Sequence, residues 1–294
     1  GPRRKYEFIR QHQGEFKVKA MCQSLQVSKS GYYAWSKRPS SRRFQANTRL
    51  AEDIKKIHIE SRKTYGSPRI HAELVRRNIP CGHNRVARLM RLNYIVSQRQ
   101  FHRKQRHATA HGRSQTSNLV NRNFHVTKPN HVWAGDITVL WSGSGWLYLA
   151  VVMDLYSRRI IGWAMQSRMT DDLVINALET AVGQRRPEHG LIHHSDQGSQ
   201  YASEFFRLAL QKNCIAPSMS RKGDCYDNAV VESFFKSLKV ELCKETRFKT
   251  REEARSKIFE YIEVFYNRKR LHSTLGYRSP VEYEKRNLTK QPVH

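Results

Sequence analysis

The sequence predicts an α/β core with a mixed sheet, which follows small all-α modules of helix-turn-helix character. Two observations support this fold class. After Pro129, long runs of β-branched and aromatic residues come first, and helical and strand-like segments alternate afterwards, which indicates a sheet covered by helices. Before Pro129, apolar residues recur at helical spacing in short segments that turns separate.

The charge of the chain is unevenly distributed. The 294 residues carry a net charge of +28. Residues 1–117 contain 27 Lys and Arg against 6 Asp and Glu, whereas residues 118–294 contain 26 against 19. Such a surplus implies a polyanionic partner, because the neutralised phosphates release their counterions. The partition predicts a front part that binds phosphates and a second part that holds most of the carboxylates.

The first helix pair is predicted between Val18 and Trp35. Apolar residues at helical spacing run from Val18 to Leu25, and a short turn follows them. Ser28 is then expected to cap a second helix, which carries Tyr32 and Trp35.

The second helix pair carries most of the basic side chains of interest. Ser67 and Asn84 are expected to cap its two helices, and a Gly-containing turn joins them. Arg69, Arg85 and Arg88 are candidates for DNA contact, because a basic helix after such a turn is typical of helix-turn-helix readers. The alternative is an ordinary helix pair with a solvated basic face.

Composition and periodicity divide the chain into five predicted segments. These are two basic helix-turn-helix-like modules at residues 1–48 and 49–100, a basic linker at 101–129, the α/β core at 130–245, and a helical extension of the core at 246–294. The linker lies along DNA in one interpretation and is a spacer without contacts in the other.

The elements of the core are expected in a definite order. Strand-like runs cover Trp133–Trp141 and Trp146–Met165, with a hairpin turn at residues 142–145. A helix then opens at Asp171 or Asp172 and runs through Val182. The later elements are a strand at Leu191–His194, a helix at Ser203–Lys212, a strand at Ile215–Met219 and a helix from Asn228 to about Cys243.

Three carboxylates stand at ends of predicted elements. Asp136 lies in the first strand, Asp196 follows a short apolar strand, and Glu232 lies near the start of the last helix of the core. Hard divalent cations such as Mg²⁺ are bound by a few carboxylates together with substrate phosphates. Such ions catalyse in-line phosphoryl transfer. The three residues therefore predict a chain that cuts or joins nucleic acid.

Glu232 shares a helix face with two lysines. Lys236 and Lys239 follow it at steps of 4 and 3, beside an apolar stripe. This face is suited to offering a carboxylate to a metal and ammonium groups to phosphates, whereas the alternative is a surface Glu–Lys pair. The remaining basic candidates for DNA contact are Arg221, Lys222, Arg268 and His272.

Other residues support simpler interpretations. Asp154 is expected in a turn or an ion pair. The five cysteines are scattered without a C-x-x-C pair, so neither a zinc module nor a disulfide framework is predicted. No apolar stretch approaches the roughly 18–20 residues of a membrane span, so no membrane partner is expected.

The motifs around the three carboxylates resemble a known family. Trp133–Thr138, His194–Tyr201 and Asp227–Phe235 closely resemble motifs of the DDE transposases of the bacterial insertion-sequence-3 family, in its B-frame, integrase-like product. Lys239 matches the basic residue that follows the glutamate in that family. The resemblance covers nearly the whole chain, since it extends to Ser28–Tyr33, Tyr65–His71 and Tyr266–Pro280.

The resemblance implies a ribonuclease-H-like core of the retroviral-integrase type. In such a core Asp136, Asp196 and Glu232 would hold two Mg²⁺ ions, with Mn²⁺ as a substitute. A nick would release a 3′-hydroxyl at a transposon end, and that hydroxyl would attack a second phosphodiester. The implied location is the bacterial cytoplasm, at the nucleoid. The implied partners are double-stranded DNA (terminal inverted repeats and target), further copies of this chain in a dimer or higher oligomer, and the upstream-frame protein of the element.

Two other functions stay open from the sequence. One is a DNA-binding accessory or regulatory protein that is inactive without its longer frameshift fusion partner. The other is a nuclease that hydrolyses DNA without joining it.

Overall fold

The computed structural model of the protein describes residues 1–39, 41–98, 126–220, 229–243 and 246–288. The chain forms two compact units, Gly1–Lys55 and Lys56–His294. Within the described part, no helix is both long and apolar enough to cross a membrane.

The first unit consists of short helices around a small core. Ser28 caps α3 as the sequence predicts, because its Oγ accepts the Gly31 N–H at 3.1 Å. A buried cluster of Ile9, Met21, Cys22 and Tyr32 holds the helices together. The helices are α1 (Pro2–His12), α2 (Val18–Ser24), α3 (Lys29–Lys37) and the start of α4 (Arg42–Glu60). α4 is continuous across residues 48 and 49, where the two front modules were predicted to divide.

The second unit begins with the remaining helix pair, α5 (Ser67–Arg76) and α6 (His83–Leu92). The predicted side-chain caps are wrong here. Gly66 and Gly82 occupy the N-cap positions without a side-chain hydrogen bond, and Ser67 is already helical. Glycine fills these positions because it adopts the extended N-cap backbone at little cost, even though it offers no side-chain acceptor.

Tyr65 joins this helix pair to the carboxyl-terminal part of the same unit. Its hydroxyl accepts the Leu271 N–H at 2.7 Å and donates to the Lys269 carbonyl at 3.3 Å. Burial raises the pKa of Tyr65 to about 12. Beside it, the Arg62 guanidinium lies 2.6 Å from a Glu260 carboxylate oxygen and 5.1 Å from the centroid of the Phe265 ring. The helix pair is therefore held by specific contacts.

The core is a five-stranded mixed sheet with the order β3-β2-β1-β4-β5. β1 pairs with β2 and β2 with β3 in antiparallel orientation, whereas β1 pairs with β4 and β4 with β5 in parallel orientation. A turn at residues 155–158 divides the predicted run Trp146–Met165 into two strands. The strands are β1 (Val132–Ser142), β2 (Gly145–Asp154), β3 (Arg159–Gln166), β4 (Ile192–Ser195) and β5 (Ala216–Met219).

Helices cover both faces of the sheet, because alternate strand residues are apolar on each face. Leu149 and Val151 belong to different clusters from Ala150 and Val152 along β2. One cluster is covered by α7 (Asp171–Arg185), α8 (Ser199–Ala202) and α9 (Glu204–Lys212), and the other by α10 (Ala229–Leu238) and α11 (Arg251–Phe259). α7 packs closely against β3 at Gly162, because a Cβ at this position would clash with the Ala177 carbonyl oxygen.

Two helices widen into π-helical turns that the sequence analysis did not predict. α10 continues as Lys239–Cys243 and α11 as Glu260–Tyr266. A buried ion pair joins these regions, because the Arg270 Nη2 lies 2.7 Å from Glu241 Oε1. The Tyr261 hydroxyl donates to the same carboxylate at 2.8 Å. Such a pair is stable when buried only because every charge is matched by hydrogen bonds.

The last described helix, α12 (Pro280–Leu288), is attached to the sheet through Glu284. Its carboxylate accepts from the Ser157 hydroxyl at 2.6 Å and from Arg159 Nη1 at 2.9 Å. Asp154, which was predicted in a turn or an ion pair, accepts the Asn130 and Tyr156 N–H groups at 2.9 Å and lies 3.8 Å from Arg185 Nη2. That prediction is confirmed.

Tyr65→Phe is expected to lower the free energy of unfolding by about 1–3 kcal/mol, because the buried Leu271 N–H loses its acceptor. Urea denaturation followed by circular dichroism measures this change. Tyr94→Phe is the matched control, since Tyr94 is 91% exposed. Equal effects of the two substitutions would show that the Tyr65 hydroxyl contributes nothing specific.

Candidate active site

The parallel register of β1 and β4 brings two of the three carboxylates together. Val132 pairs with Ile192 and Ala134 with His194. At the same offset, Asp136 stands level with Asp196, which directly follows the last residue of β4. Because side chains alternate along a strand, Asp136 points toward the face that α10 covers, like Val132 and Ala134.

The third carboxylate, Glu232, lies in the first turn of α10. The apolar stripe predicted beside it is buried, since Val231, Phe234 and Leu238 all pack into the core next to β1. Glu232 itself is exposed beside this stripe. The packing of the stripe therefore fixes the helix rotation that directs Glu232 to the edge of the sheet.

The three carboxylates act on one another electrostatically. Burial raises the pKa of Asp136 to about 7, and the charges of Asp196 and Glu232 add to the increase. The Ile137 N–H and Lys239 lower that pKa in part. Burial, followed by the charge of Asp196, also raises the pKa of Glu232. The structure therefore brings together the residues that the sequence analysis selected.

The three carboxylates do not form a tight cluster. Among the described residues, no group of three or more His, Cys, Asp or Glu side chains is close enough to hold a metal ion. Lys239 is the one cation among the main influences on the pKa of Asp136. The donor set is nevertheless all carboxylate, which is the chemistry that Mg²⁺ and Mn²⁺ prefer.

A buried floor of aromatic residues lies beneath the carboxylates, and the sequence analysis missed its role. A Cβ at Gly135 would stand 2.8 Å from His193 Nε2 and 3.3 Å from Tyr201 Cε1. Burial lowers the pKa of His193 to about 3, so its ring is neutral. Burial, with the charges of Asp136 and Asp196, raises the pKa of Tyr201 well above its ordinary value. Glycine next to Asp136 was the sequence signal for this close packing.

Short hydrogen bonds fix the backbone around Asp196. Its Oδ1 accepts the Gly198 N–H at 3.0 Å, and Gln197 Nε2 donates to the Ser220 carbonyl at 2.9 Å. His194 is fully buried and its Nδ1 lies 2.9 Å from the Ser218 hydroxyl. Both histidines beside Asp196 therefore pack within the protein.

The predicted DNA contacts fall into different environments. Lys236 and Lys239 are exposed, and Lys239 begins the π-helical turn that follows Glu232 on α10. Arg268 is exposed and lines a cleft of about 350 Å³ together with Arg76, Arg77 and two glutamates.

The helix pair holds the other basic candidates that the structure describes. Arg85 and Arg88 are half-buried on α6, and the Arg69 guanidinium lies 5.7 Å from the centroid of the Tyr65 ring. Arg221 and Lys222 lie outside the described residues.

His272 does not suit the DNA contact that was predicted for it. It is 9% exposed, its ring meets Tyr266 edge-on at 4.9 Å, and Arg270 Nη1 lies 3.4 Å from its Nε2. Arg270, its neighbour in the basic run, is engaged in the buried ion pair with Glu241. The tail is not a uniform basic helix face, because the chain leaves the π-helical turn and folds back into the core.

Asp136→Asn is expected to stabilise the metal-free protein at high pH. The raised Asp136 pKa means that the folded chain binds a proton more tightly than the unfolded chain does. Stability therefore falls as pH rises from about 4 to about 7 and stays low above that range. Asp136→Asn has no carboxylate to ionise at this position, so its stability does not fall in this way. Its free energy of unfolding is therefore expected to exceed that of the wild type by at most about 4 kcal/mol near pH 8, and to equal it near pH 4.

Urea denaturation at the two pH values with EDTA measures that difference. Glu188→Gln serves as the control, because Glu188 is an exposed carboxylate in a loop of the same unit. An Asp136→Asn advantage of equal size at both pH values would contradict the raised pKa.

Comparisons with known protein families agree with this architecture. A family described as "Integrase core domain" matches residues 126–225, and a second family with the same description matches residues 232–288. A family described as "HTH-like domain" matches residues 45–105. The predicted fold class, an integrase-type ribonuclease-H-like core after helix-turn-helix-like helices, is confirmed.

Two solved structures are similar to this chain at low sequence identity. The simian T-cell lymphotropic virus intasome, in complex with PP2A regulatory subunit B56 gamma, is similar at 16% identity and a TM-score of 0.46 over 81% of this chain and 75% of that chain. The HTLV-2 integrase catalytic core domain in complex with magnesium is similar at 18% identity and a TM-score of 0.42, over 54% of this chain and 98% of that chain.

Sequence relatives are much nearer. Transposase InsF for insertion sequence IS3A of Escherichia coli (strain K12) is 42% identical over 286 residues, which cover 97% of this chain and 99% of the relative. The insertion element IS600 uncharacterized 31 kDa protein of Shigella sonnei is 44% identical over 267 residues, which cover 90% of this chain and 98% of the relative. The chain therefore belongs to the insertion-sequence-3 family of transposases, enzymes of the polynucleotidyl transferase class with an integrase core.

Proposed function

We propose that this transposase cleaves the ends of its insertion sequence and joins them to target DNA in a Mg²⁺-dependent reaction, with Asp136, Asp196 and Glu232 as the catalytic metal ligands. One observation supports the proposal above all. The parallel register of β1 and β4 sets Asp136 level with Asp196, and the charges of Asp196 and of Glu232 on α10 both act on Asp136, so three acids from separate elements influence one another. Repulsion between these acids does not stabilise the fold, so a functional role for them explains their placement better than a structural one.

The residues present fit a pair of divalent cations. The donors are carboxylate oxygens, and Lys239 compensates only part of their charge. Asp196 and Glu232 are exposed, so an ion from solvent can reach both carboxylates. When bound, the two ions would activate the attacking oxygen and stabilise the leaving oxygen of an in-line displacement. Mg²⁺ is the proposed ion, and Mn²⁺ has the same ligand preference.

The protein's own residues would position the reacting groups. The Asp136 Oδ1 accepts the Ile137 N–H at 2.7 Å, and the Asp196 Oδ1 accepts the Gly198 N–H, so neither carboxylate rotates freely. The buried His193 and Tyr201 rings pack against Gly135, the residue before Asp136, and so support the strand that carries this carboxylate. Lys239, and Lys236 one turn before it, would bind phosphates of the scissile strand, because ammonium groups attract the polyanion to this edge.

The basic front of the chain would hold the DNA while the core acts on it. The HTH-like match and the arginines of α6 support contact with double-stranded terminal repeats. Tyr65 fixes this helix pair to the core, so a repeat bound there would have a defined position relative to the carboxylates. The proposed assembly is a dimer or higher oligomer on DNA at the nucleoid, and the upstream-frame protein is a further proposed partner.

Incubation of the purified chain with DNA that carries the element's ends and a target plasmid tests the proposal. Cleavage followed by strand joining in Mg²⁺ supports it. Binding without cleavage would contradict it and favour an accessory protein that needs its fusion partner. Cleavage without a joined product would contradict it and favour a nuclease.

Asp136→Asn, Asp196→Asn and Glu232→Gln are each expected to lower strand cleavage by more than about 100-fold, because each change removes a charged metal ligand. DNA binding, measured by gel shift in EDTA, is expected to change little. Glu188→Gln is the control for loss of one carboxylate charge. Wild-type turnover in any one of the three variants would remove that residue from the metal site.

Lys239→Ala is expected to weaken DNA binding and to reduce the slope of log affinity against log salt by about 1, the value for one lost phosphate contact. Fluorescence anisotropy over a salt series measures the slope. Lys212→Ala removes an equally exposed lysine from the end of α9 and provides the control. A slope that is the same in wild type and Lys239→Ala would exclude the phosphate contact.

A further inference from the structure

Two tryptophans are exposed at the tip of the β1–β2 hairpin. Trp141 and Trp146 are cross-strand partners, and their ring centroids lie 4.7 Å apart at an interplanar angle of 75°. They are 59% and 52% exposed, although neighbouring residues of the same strands are buried. Exposure of two such large rings is costly in water, and an aromatic surface of this kind typically marks a binding site.

A cavity of about 590 Å³ lies beside Trp141, between the hairpin on one side and Lys239, Cys243 and residues 246–248 on the other. Its volume is within the range of small-ligand sites. Its lining includes Val139, Trp141, Lys239, Arg247 and Phe248.

The cavity is preformed, because hydrogen bonds join the hairpin tip to the residues on the other side of the cavity. The Gly143 N–H donates to the Phe248 carbonyl at 2.9 Å, and Arg251 Nε donates to the Trp146 carbonyl at 3.2 Å. A Cβ at Gly143 would lie 2.5 Å from the Lys249 carbonyl oxygen, so the two segments are in close contact. The tip is therefore a rigid platform.

The charge around the cavity is positive. Lys239 and Arg247 line it, and none of its described lining residues is acidic. Arg251 lies at the hairpin tip, beside Gly145. The nearest acid shown by a contact is Glu253, which accepts the Lys249 backbone N–H at 2.7 Å and belongs to the first turn of α11. An aromatic ring among basic side chains suits an anionic ligand with a flat apolar part.

Lys239 connects the cavity to the carboxylates. Its side chain lines the cavity, and its charge acts on Asp136. A DNA strand whose phosphates follow Lys239 away from Asp136 would therefore reach Trp141 within a short distance. Lys239 is therefore shared by the two sites.

We propose that this cavity binds an unstacked nucleobase of the DNA strand next to the cleavage point, with the base stacked on Trp141 and its phosphates beside Lys239 and Arg247. Because Trp146 meets Trp141 at 75°, it does not stack on that ring. Every nucleobase offers a flat π-face, and stacking on an aromatic side chain contributes about 1–3 kcal/mol. This proposal rests on the proposed function, since it takes DNA as the substrate, and it adds how one nucleotide is held.

Binding of a fluorescein-labelled oligothymidylate of about 12 nucleotides, measured by anisotropy in EDTA, tests the proposal without requiring cleavage. Trp141→Ala is expected to weaken binding by about 5- to 100-fold, as one lost stacking contact would. Trp141→Phe is expected to retain most of the affinity, whereas Trp141→Leu is expected to resemble Trp141→Ala. Phe205→Ala is the control, because Phe205 on α9 is 68% exposed.

A fully paired blunt duplex distinguishes stacking from charge. Trp141→Ala is expected to affect duplex binding much less than oligothymidylate binding, because paired bases are already stacked. Equal losses on both probes would overturn the proposal. Full affinity in Trp141→Leu would also overturn it, because an apolar contact would then suffice. Thermal denaturation checks that each variant folds, which we expect because Trp141 is exposed.

Two further outcomes separate this proposal from its alternatives. If Trp141→Ala leaves oligothymidylate binding unchanged and instead shifts the oligomeric state, the surface is a protein–protein contact and the proposal fails. If wild type cleaves DNA and Trp141→Ala binds it normally, the base site fails while the proposed function stands. Loss of binding in Trp141→Ala together with an inactive wild type would support the base site and refute the proposed function.

Discussion

Hydrogen bonding between β1 and β4 sets a parallel register that leaves Asp136 level with Asp196, where β4 ends. Burial disfavours the charged form of Asp136, and the nearby charges of Asp196 and Glu232 disfavour it further. Together they raise the pKa of Asp136 to about 7. The surrounding fold keeps the arrangement in place. His193 and Tyr201 fill the space beneath Gly135, and the α10 stripe packs on β1, so the backbone positions of Asp136 and Glu232 are fixed by the core. Repulsion of this kind is what a divalent cation relieves.

The helix that carries Glu232 is secured from the opposite end of the site. Glu241, in the π-helical turn that Lys239 begins, is bound by the buried Arg270 and by the Tyr261 hydroxyl. The same carboxyl-terminal segment accepts Tyr65 from the front helix pair. One stretch of chain therefore fixes both the position of Lys239 and the attachment of the HTH-like helices. This shared anchoring links the part that would hold DNA to the part that would cut it.

Much of the architecture could be predicted from the sequence. The strands β1 and β2 follow from their long β-branched and aromatic runs. The helices α7 and α9 and the apolar stripe of α10 follow from local sequence, through their start signals and apolar spacing. The predicted caps Ser67 and Asn84 were wrong, because glycines precede both helices and supply the extended backbone themselves. The π-helical turns were not predictable, since they depend on partners such as Arg270 that are distant in the chain.

The sequence by itself determined the family, the basic character of the front part, and the three acids most suited to a metal. These properties depend on residue type and local spacing. Only the tertiary structure decided that Asp136 and Asp196 stand level, that His272 is buried, and that Trp141 lies exposed beside a basic cavity. Strand register and the burial of single side chains are set by contacts between segments that are distant in the chain, so local sequence patterns do not predict them.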